Sequence, residues 1–331
     1  MVRRIGSCLY LMMNGWCKDS EHAKRDGIEL KQPDRKESNA AEKKTNPDRE
    51  EWNQTAEPGT IAGENCTGTE GSKNMEEKYL ICEDSLEGIW TGIYEAYAGK
   101  WGHEHTHLLV AEEDNYRLFA TYVNIVADAG KADKVSRTLR QRLGDEVYLE
   151  LCRAAASCQP DKAEAVYKTV VDGITGKKGR AVLSNLRNPQ VARVFELARN
   201  TANEAHFEIE FIRFRELENG ILFSKIGPKN DVMTFVLPHF ADRMPLENFM
   251  VYDENHGIFG VHPAKKSWFL AAAPPGFREP EMGDSENERK YQELFRLFHH
   301  TVGIQERENR ALQRQMAPLR YQEYMMEFSK K

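Results

Sequence analysis

The chain has 331 residues, a formal net charge of -6 and 40% hydrophobic residues, and at about 150 residues per domain this length predicts roughly two domains. It contains no run of about 18 apolar residues, which excludes a transmembrane helix, and no fixed-period repeat, which excludes a solenoid. The near balance of 46 basic and 52 acidic residues excludes a histone-like coat of positive charge.

The first part of the chain differs in composition from the rest. Large apolar residues are rare between residues 18 and 77, where Lys, Glu, Asp, Asn, Gly and Thr predominate. Such a segment buries too little apolar surface to offset its ordering entropy. We therefore assign residues 1–77 to a disordered tail or to an N-terminal extension from a misassigned start. Residues 78–273 are predicted to form an α+β core domain, and residues 274–331 a linker with C-terminal helices that pack on the core.

The six cysteines are scattered along the chain. A zinc ribbon or an iron–sulfur site needs tighter spacing, so neither is predicted. Scattered thiols in a long chain are typical of a reducing environment, and we expect a cytoplasmic location with no membrane partner.

A β-α-β-β order is predicted for the start of the core domain. Residues 79–82 suit a strand, Ser85 is a suitable N-cap, and apolar residues recur at helical spacing up to Gly99. Two further strands are predicted at residues 108–110 and 122–126.

The rest of the core changes from helical to alternating periodicity. Residues 131–209 are predicted to form several helices, and an Asn-Gly turn between alternating segments then predicts a β-hairpin. A helix over residues 231–243 is expected to begin with Asn230 or Asp231 as its N-cap. A strand meander and C-terminal helices complete an α+β fold whose sheet we expect to be mostly antiparallel.

Three histidines alternate just before the second predicted strand, at His103, His105 and His107. In an extended chain they share one face, which is a spacing that a metal site can use. The alternative is that the three histidines are only polar residues that precede the strand, because no fourth metal ligand is evident.

Arginines and histidines gather where the last central helix meets the hairpin. Arg199 and His206 lie on one flank of the helix, where partial burial tunes a histidine pKa. Arg213 and Arg215 are predicted to share one strand face, and two parallel guanidinium groups can bind a phosphate. The alternative is a structural junction in which these arginines pair with Glu204, Glu208 or Glu216.

Two more clusters complete the candidate residues. His239, beside Asp242 and Arg243, suits acid–base chemistry, or else caps carbonyl groups at a helix end. A stripe of three arginines at helical spacing can follow a phosphate backbone, or else forms a solvated, salt-bridged face. Its members are Arg307, Arg310 and Arg314.

Several segments of the body resemble one bacterial family. They are residues 79–89, 203–206 (Asn-Glu-Ala-His), 211–222, 238–243 (Pro-His-Phe-Ala-Asp-Arg) and 305–310, with Pro318, Arg320 and Tyr321. Together they resemble, over residues 79–328, a domain-of-unknown-function family described as DNA-metabolism proteins. Its members are encoded beside a radical-SAM protein of DNA modification or repair, and a similar domain is elsewhere fused to a uracil-DNA-glycosylase-like domain. The resemblance implies a role in DNA repair or modification, and it supplies no catalytic residues.

Three functions follow as hypotheses. The first is a DNA-metabolism or repair protein that acts with the radical-SAM partner and binds DNA through a local arginine patch. The second is an enzyme for damaged or modified nucleotides, with His206 and His239 as acid–base residues. The third is a structural interaction module. No cofactor is expected in this chain, whereas the partner is expected to carry an iron–sulfur cluster and SAM.

Overall fold

A computed structural model describes residues 76–111, 117–274, 276–277 and 283–328 of the chain. The predicted disordered tail or extension, residues 1–77, lies outside the described residues except for Glu76 and Glu77. Glu77 already belongs to the first strand.

The first three strands form a parallel sheet in the order β2-β1-β3, with β1 at Glu77–Cys82, β2 at Thr106–Leu109 and β3 at Ala120–Ile125. Helix α1 (Leu86–Ala98) begins at Ser85, whose hydroxyl accepts a hydrogen bond from the Gly88 N–H at 3.0 Å. Because α1 carries the chain back across the sheet, β2 runs parallel to β1. The predicted β-α-β-β order is confirmed.

The central region is helical, as predicted. It contains α2 (Ala129–Leu143), α3 (Asp145–Ala155), α4 (Lys162–Ile174), a 3-10 helix (Gly179–Ser184) and α5 (Pro189–Phe211). Helix α5 begins with Asn188 as its N-cap and Pro189 in the first turn, where proline needs no N–H partner. Its fully buried Val194 and Leu197 lie in the main hydrophobic core, which is shared with α1, α3 and α4.

The second sheet is mixed, in the order β4-β5-β6-β7-β8. Its strands are β4 (Arg215–Glu216), β5 (Leu222–Ile226), β6 (Phe249–Asp253), β7 (Ile258–His262) and β8 (Phe269–Ala272). The last three form the predicted antiparallel meander, and β4 pairs antiparallel with β5. Strands β5 and β6 are parallel because helix α6 (Met233–Arg243) connects them. The α+β class is confirmed, while the crossovers through α1 and α6 give more parallel pairing than expected.

Helix α6 begins later than the sequence predicts. Neither Asn230 nor Asp231 caps it, and no side chain accepts a hydrogen bond at its start. The Asn230 side-chain oxygen instead accepts from the Cys158 N–H at 2.9 Å, and its amide donates to Glu204 at 2.5 Å. The cap prediction is wrong because long-range contacts engage this loop.

Helix α7 (Glu286–Val302) presents its apolar side to solvent. Tyr291, Leu294 and Phe298 are 69%, 60% and 62% exposed, whereas Glu288 accepts a hydrogen bond from the Glu216 N–H of β4 at 3.2 Å. An ordinary surface helix instead turns its apolar side toward the protein core. A 3-10 turn (Gln305–Arg307) and the short helices α8 (Arg310–Met316) and α9 (Leu319–Gln322) follow.

Among the helices that the structure describes, none has the length and apolar character needed to cross a membrane.

Candidate nucleic-acid interface

A polar cleft of about 370 Å3 lies between the second sheet, α7 and the segment after α9. Four cationic side chains line it, and the acidic side chains among its lining residues are Asp284 and Glu323. The cations are Arg213, Arg215, Lys225 and Arg296. Such a cluster of guanidinium and ammonium groups suits a phosphate or another anion.

The first two arginines reach the cleft because they alternate along the chain that enters β4. Arg215 pairs across the sheet with Phe223, and its guanidinium lies 5.1 Å from the centre of that ring. Arg213 donates to the carbonyl oxygens of Glu210 and Ile212, at 3.1 and 3.2 Å, and so caps the end of α5. Both arginines line the cleft, but Arg213 precedes β4 and does not share a strand face with Arg215, and their role in binding phosphate stays a prediction.

Three of the four cations each form an ion pair with a carboxylate. Arg213 donates to Glu327 at 3.0 Å, Arg215 donates to Asp284, and Lys225 lies 2.7 Å from Glu254. These partners of Arg213 and Arg215 differ from the predicted alternatives Glu204, Glu208 and Glu216. The true partners come from segments that follow the second sheet, which local spacing does not reveal.

Arg296 differs from the other three cations of the cleft. Its Nε is buried and has no hydrogen-bond acceptor, and the guanidinium forms no ion pair with any residue that the structure describes. A buried donor without a partner costs about 1–3 kcal/mol. Arg296 therefore has bonding capacity that an anionic ligand can satisfy.

Tyr324 forms part of the cleft wall and is held from two sides. Its hydroxyl donates to Glu254, and Lys225 lies 5.8 Å from the ring centre. A Cβ atom at Gly227 would lie 2.1 Å from the Tyr324 oxygen, so only glycine allows this approach. Burial and the hydrogen bond to Glu254 raise the pKa of Tyr324, which keeps the phenol neutral.

The segment that carries Tyr324 is anchored beneath the cleft by Glu204 of α5. This buried carboxylate accepts from the N–H groups of Lys229 and Asn230, at 3.1 and 2.8 Å, and lies 2.8 Å from Arg320 Nη1. One turn further along α5, burial and the charge of Glu204 raise the pKa of Glu208 to about 8. The anchor thus joins α5, the loop after β5 and the C-terminal segment.

The other predicted arginines do not share this cleft. Arg199, Arg243, Arg307 and Arg314 are exposed, and Arg310 lies 3.1 Å from Glu308. Arg307 lines a different cavity of about 810 Å3 with Val302 and Leu312. Of the seven predicted arginines, the structure brings only Arg213 and Arg215 together at the described cleft.

His206 and His239 are not joined by a contact or a cavity among the described residues. His206 is 70% exposed on α5 and lies 3.1 Å from Glu210 rather than against Arg199. His239 lies in α6 with its ring edge-on to Phe240. Desolvation and the charge of Arg243 lower the pKa of His239, so it is mostly neutral at pH 7. The geometry gives no support to an acid–base pair of these two histidines.

Of the three alternating histidines, His105 and His107 share a partner and His103 does not. His103 Nδ1 lies 2.8 Å from the Tyr167 hydroxyl, whereas His105 and His107 each lie 3.0 Å from a different oxygen of Glu77. No group of three or more His, Cys, Asp or Glu side chains is placed to hold a metal ion in the described part of the chain. The geometry therefore gives the metal hypothesis no support.

The histidine region is instead a closed network around the edge strand β2. Glu164 of α4 accepts from His107 Nδ1 at 2.8 Å and from the Leu108 N–H at 2.9 Å, and Lys168 donates to the Thr106 carbonyl at 2.9 Å. Helix side chains thus bond the free main-chain groups of the strand. The hydrogen bond to Glu164 raises the pKa of His107, and the hydrogen bond to His105 lowers that of Glu77.

Lys225, Arg296 and Tyr324 are cleft residues that the sequence reasoning missed. Arg296 follows Gln292 by one helical turn on the polar side of α7, which was a detectable signal. For Lys225 and Tyr324 no local pattern marks the site, because their proximity depends on tertiary folding.

The fold and the cleft together define an α+β protein with a small cationic cleft at the junction of a mixed sheet and C-terminal helices. Residues 160–327, just over half of the chain, match the family described as Domain of unknown function (DUF4130). The chain belongs to this family, whose match includes every lining residue of the cleft. Neither the curated proteins nor the solved structures gave a match.

Proposed function

We propose that this chain is a DNA-metabolism protein that binds a nucleic-acid strand at the cleft lined by Arg213, Arg215, Lys225 and Arg296. The observation that carries the proposal is the buried, unpaired Nε of Arg296 beside three further cations in one cleft. Arginine contacts to phosphate supply most of the affinity of non-specific nucleic-acid binding.

The size and charge of the cleft favour contact with a few phosphates over a general attraction of the whole protein to nucleic acid. The four cations are matched by two lining acids and by the ion-pair partners Glu254 and Glu327, so Arg296 is the cleft cation for which no described residue supplies an ion pair, whereas the whole chain carries -6. An acidic protein with a small cationic cleft binds one or two phosphates and repels longer stretches of duplex. A single strand, which bends into a cleft and offers bases for stacking, fits this better than a straight duplex.

The wider setting is proposed from the resemblance to DNA-metabolism proteins, and the partner is the radical-SAM protein of DNA modification or repair. The outward apolar side of α7 supports a protein partner, because exposed contiguous apolar surface is a frequent sign of an interface. If the two proteins associate, they should copurify from one extract, and Leu294→Asp should release the partner.

The decisive test compares two arginines of the same C-terminal region. Arg296→Ala should weaken binding of a fluorescent single-stranded oligonucleotide and reduce the salt dependence of binding by about one phosphate contact. Arg310→Ala is the matched control, because Arg310 is exposed and outside the cleft. Fluorescence anisotropy at several salt concentrations measures both.

Equal affinity of both variants and the wild type would contradict the proposal. It would favour the structural alternative, in which the ion pairs of Arg213, Arg215 and Lys225 only join segments of the fold. Thermal melting of each variant separates lost contact from lost folding.

A further inference from the structure

A second groove, of about 670 Å3, adjoins the arginine cleft along α7. Its volume lies within the roughly 300–1,000 Å3 that is typical of small-molecule sites. The groove and the cleft share four lining residues and therefore lie side by side. The shared residues are Arg213, Phe214, Gln292 and Met326. A molecule bound in the arginine cleft can thus extend directly into this groove.

Four aromatic side chains line the groove, which we call the aromatic groove. Tyr291, Phe295 and Phe298 recur at helical spacing and form one stripe along α7, while Phe214 comes from the chain between α5 and β4. The three side chains of the stripe are exposed and so are accessible to a ligand. Exposed aromatic rings beside a cationic cleft are the combination that binds single-stranded nucleic acid, because every base has a face that stacks on a ring.

Phe214 gives the aromatic groove a fixed wall. Its ring packs at a steep angle against the rings of Phe240 and Phe249, with ring centres 5.1 and 5.6 Å apart, and both of these rings belong to the main hydrophobic core. A ring that is fixed before the ligand arrives loses little conformational entropy on binding. Because Arg213 directly precedes Phe214, a cation for phosphate and a ring for stacking are neighbours in the chain.

Gln292, which lines both cavities, offers a hydrogen-bond acceptor to a ligand. Its amide nitrogen donates to Asp284 at 3.2 Å and to Glu288 at 2.9 Å. Both partners are carboxylates, which accept hydrogen bonds, so the amide must turn its nitrogen toward them. Within the part of the chain that the structure describes, no donor bonds to the amide oxygen. This oxygen suits the N–H groups on the pairing edge of an unpaired base.

These features favour a base over an apolar peptide segment as the occupant. A flat heterocycle with a hydrogen-bonding edge matches both the aromatic rings and the oxygen of Gln292, whereas an apolar segment would cover that oxygen without supplying a donor. The phosphate and the base of one nucleotide would then occupy the cleft and the groove together. Leu297 of α7 does not line the groove, so the outer edge of the helix stays available to a protein partner.

We propose that the aromatic groove binds an unstacked nucleobase of the strand whose phosphate lies in the arginine cleft. The inference rests on the proposed function and narrows its ligand to nucleic acid with unpaired bases, because the bases of a duplex are stacked and paired and do not enter the groove. Phe214, Tyr291 and Phe298 stack on the base, and Gln292 accepts a hydrogen bond from its edge.

The first test removes the bases from the ligand and keeps its charge. The full chain is titrated with a fluorescent single-stranded oligonucleotide and with a strand of equal length in which every nucleotide lacks its base. Both strands carry the same number of phosphates, so the arginine cleft contributes equally to both affinities. The strand with bases should bind roughly 5-fold or more tightly than the abasic strand, which is the effect of one stacked base. Fluorescence anisotropy measures both affinities.

The second test changes the protein. Phe298→Ala should weaken binding of the strand with bases roughly 5-fold or more, without changing its affinity for the abasic strand or the salt dependence of binding. Phe298→Trp should restore the affinity, because tryptophan also stacks. Leu297→Ala is the matched control, since Leu297 is 64% exposed on the same helix but outside the groove. Phe298 is itself 62% exposed, and thermal melting of each variant checks that the fold is retained.

Equal affinity of the wild type for the two strands would overturn the inference and leave the proposed function standing. An equal effect of Phe298→Ala and Leu297→Ala would also overturn it and would assign the apolar side of α7 to a protein partner. If the wild type binds neither strand, the proposed function fails together with the inference.

Discussion

The histidine network around β2 and the arginine cleft beside β5 both gather charged side chains from distant parts of the chain. In the histidine network, Glu164 joins His107, the Leu108 N–H and Lys168, so its two oxygens are both used. In the arginine cleft, Arg296 has a buried nitrogen without a partner. The first region is saturated with internal bonds, and the second is not.

This difference separates a structural cluster from a binding site. Buried polar groups in folded proteins are almost always hydrogen-bonded, so an unpaired one calls for an explanation such as a missing ligand. A closed network such as that of Glu164 stabilises the fold and leaves nothing for a ligand. The two regions should therefore respond to substitution in opposite ways.

The largest expected effect is a loss of stability in the saturated region. Glu164→Ala leaves the Leu108 N–H and His107 without their acceptor and should lower the free energy of unfolding by roughly 3–5 kcal/mol. Oligonucleotide affinity should not change. Urea denaturation measures the first quantity and anisotropy the second.

A surface control sharpens this comparison. Glu293→Ala, on an exposed position of α7, should change stability by less than about 0.5 kcal/mol. If Glu164→Ala weakens DNA binding as much as Arg296→Ala does, the division into a structural and a binding region is wrong.

A smaller effect, dependent on pH, is expected beneath the cleft at Glu208. Its folded-state pKa of about 8 exceeds the ordinary value of 4.5, so its contribution to stability is fully present below pH 4.5 and is lost as pH rises through 8. Glu208→Gln removes this dependence, and above pH 8 the variant should be more stable than the wild type by roughly 2–4 kcal/mol.

Urea denaturation between about pH 5 and pH 9 measures the effect. The matched control is Glu210→Gln, because Glu210 lies on the same helix but its side chain is 47% exposed. Parallel stability curves for wild type and Glu208→Gln would show that Glu208 is not buried as described.

The smallest expected effect is a pH dependence in the histidine network. The hydrogen bond to Glu164 raises the pKa of His107 above 6.5, so its stabilising contribution is present below pH 6.5 and is lost as pH rises through the raised value. The facing groups Glu77, Glu164 and Lys168 act on this histidine together. His107→Gln should therefore cost less stability at pH 8 than at pH 5.5, and denaturation at about these two pH values tests the sign.

The sequence predicts local structure better than it predicts the site. The Ser85 cap and the strand meander follow from short-range patterns, and both are confirmed. Alternation also places Arg213 and Arg215 in one cleft. Their partners Asp284 and Glu327 lie 69 and 114 positions away, and no local pattern encodes such a distance.

The histidine hypothesis depends on a strand that begins earlier than the real one. Strand β2 begins at Thr106, and Gly102 has a φ of +88°, so His103 lies in a turn and points away from the others. Strict alternation applies only within a strand. The hydrogen bond of 2.7 Å between His256 Nδ1 and Asp253 was not predicted, because the complete burial of Asp253 at the end of β6 depends on tertiary packing.

The distance along the chain between Arg213 and Glu327 also has a consequence during synthesis. A ribosome adds about 5–20 residues per second, so the 114 positions that separate the two residues take on the order of ten seconds to make. During that interval Arg213 and Arg215 have been made, whereas Glu327 does not yet exist. The nascent chain therefore offers its cationic side chains to surrounding anions, ribosomal RNA included, before its own carboxylates can occupy them.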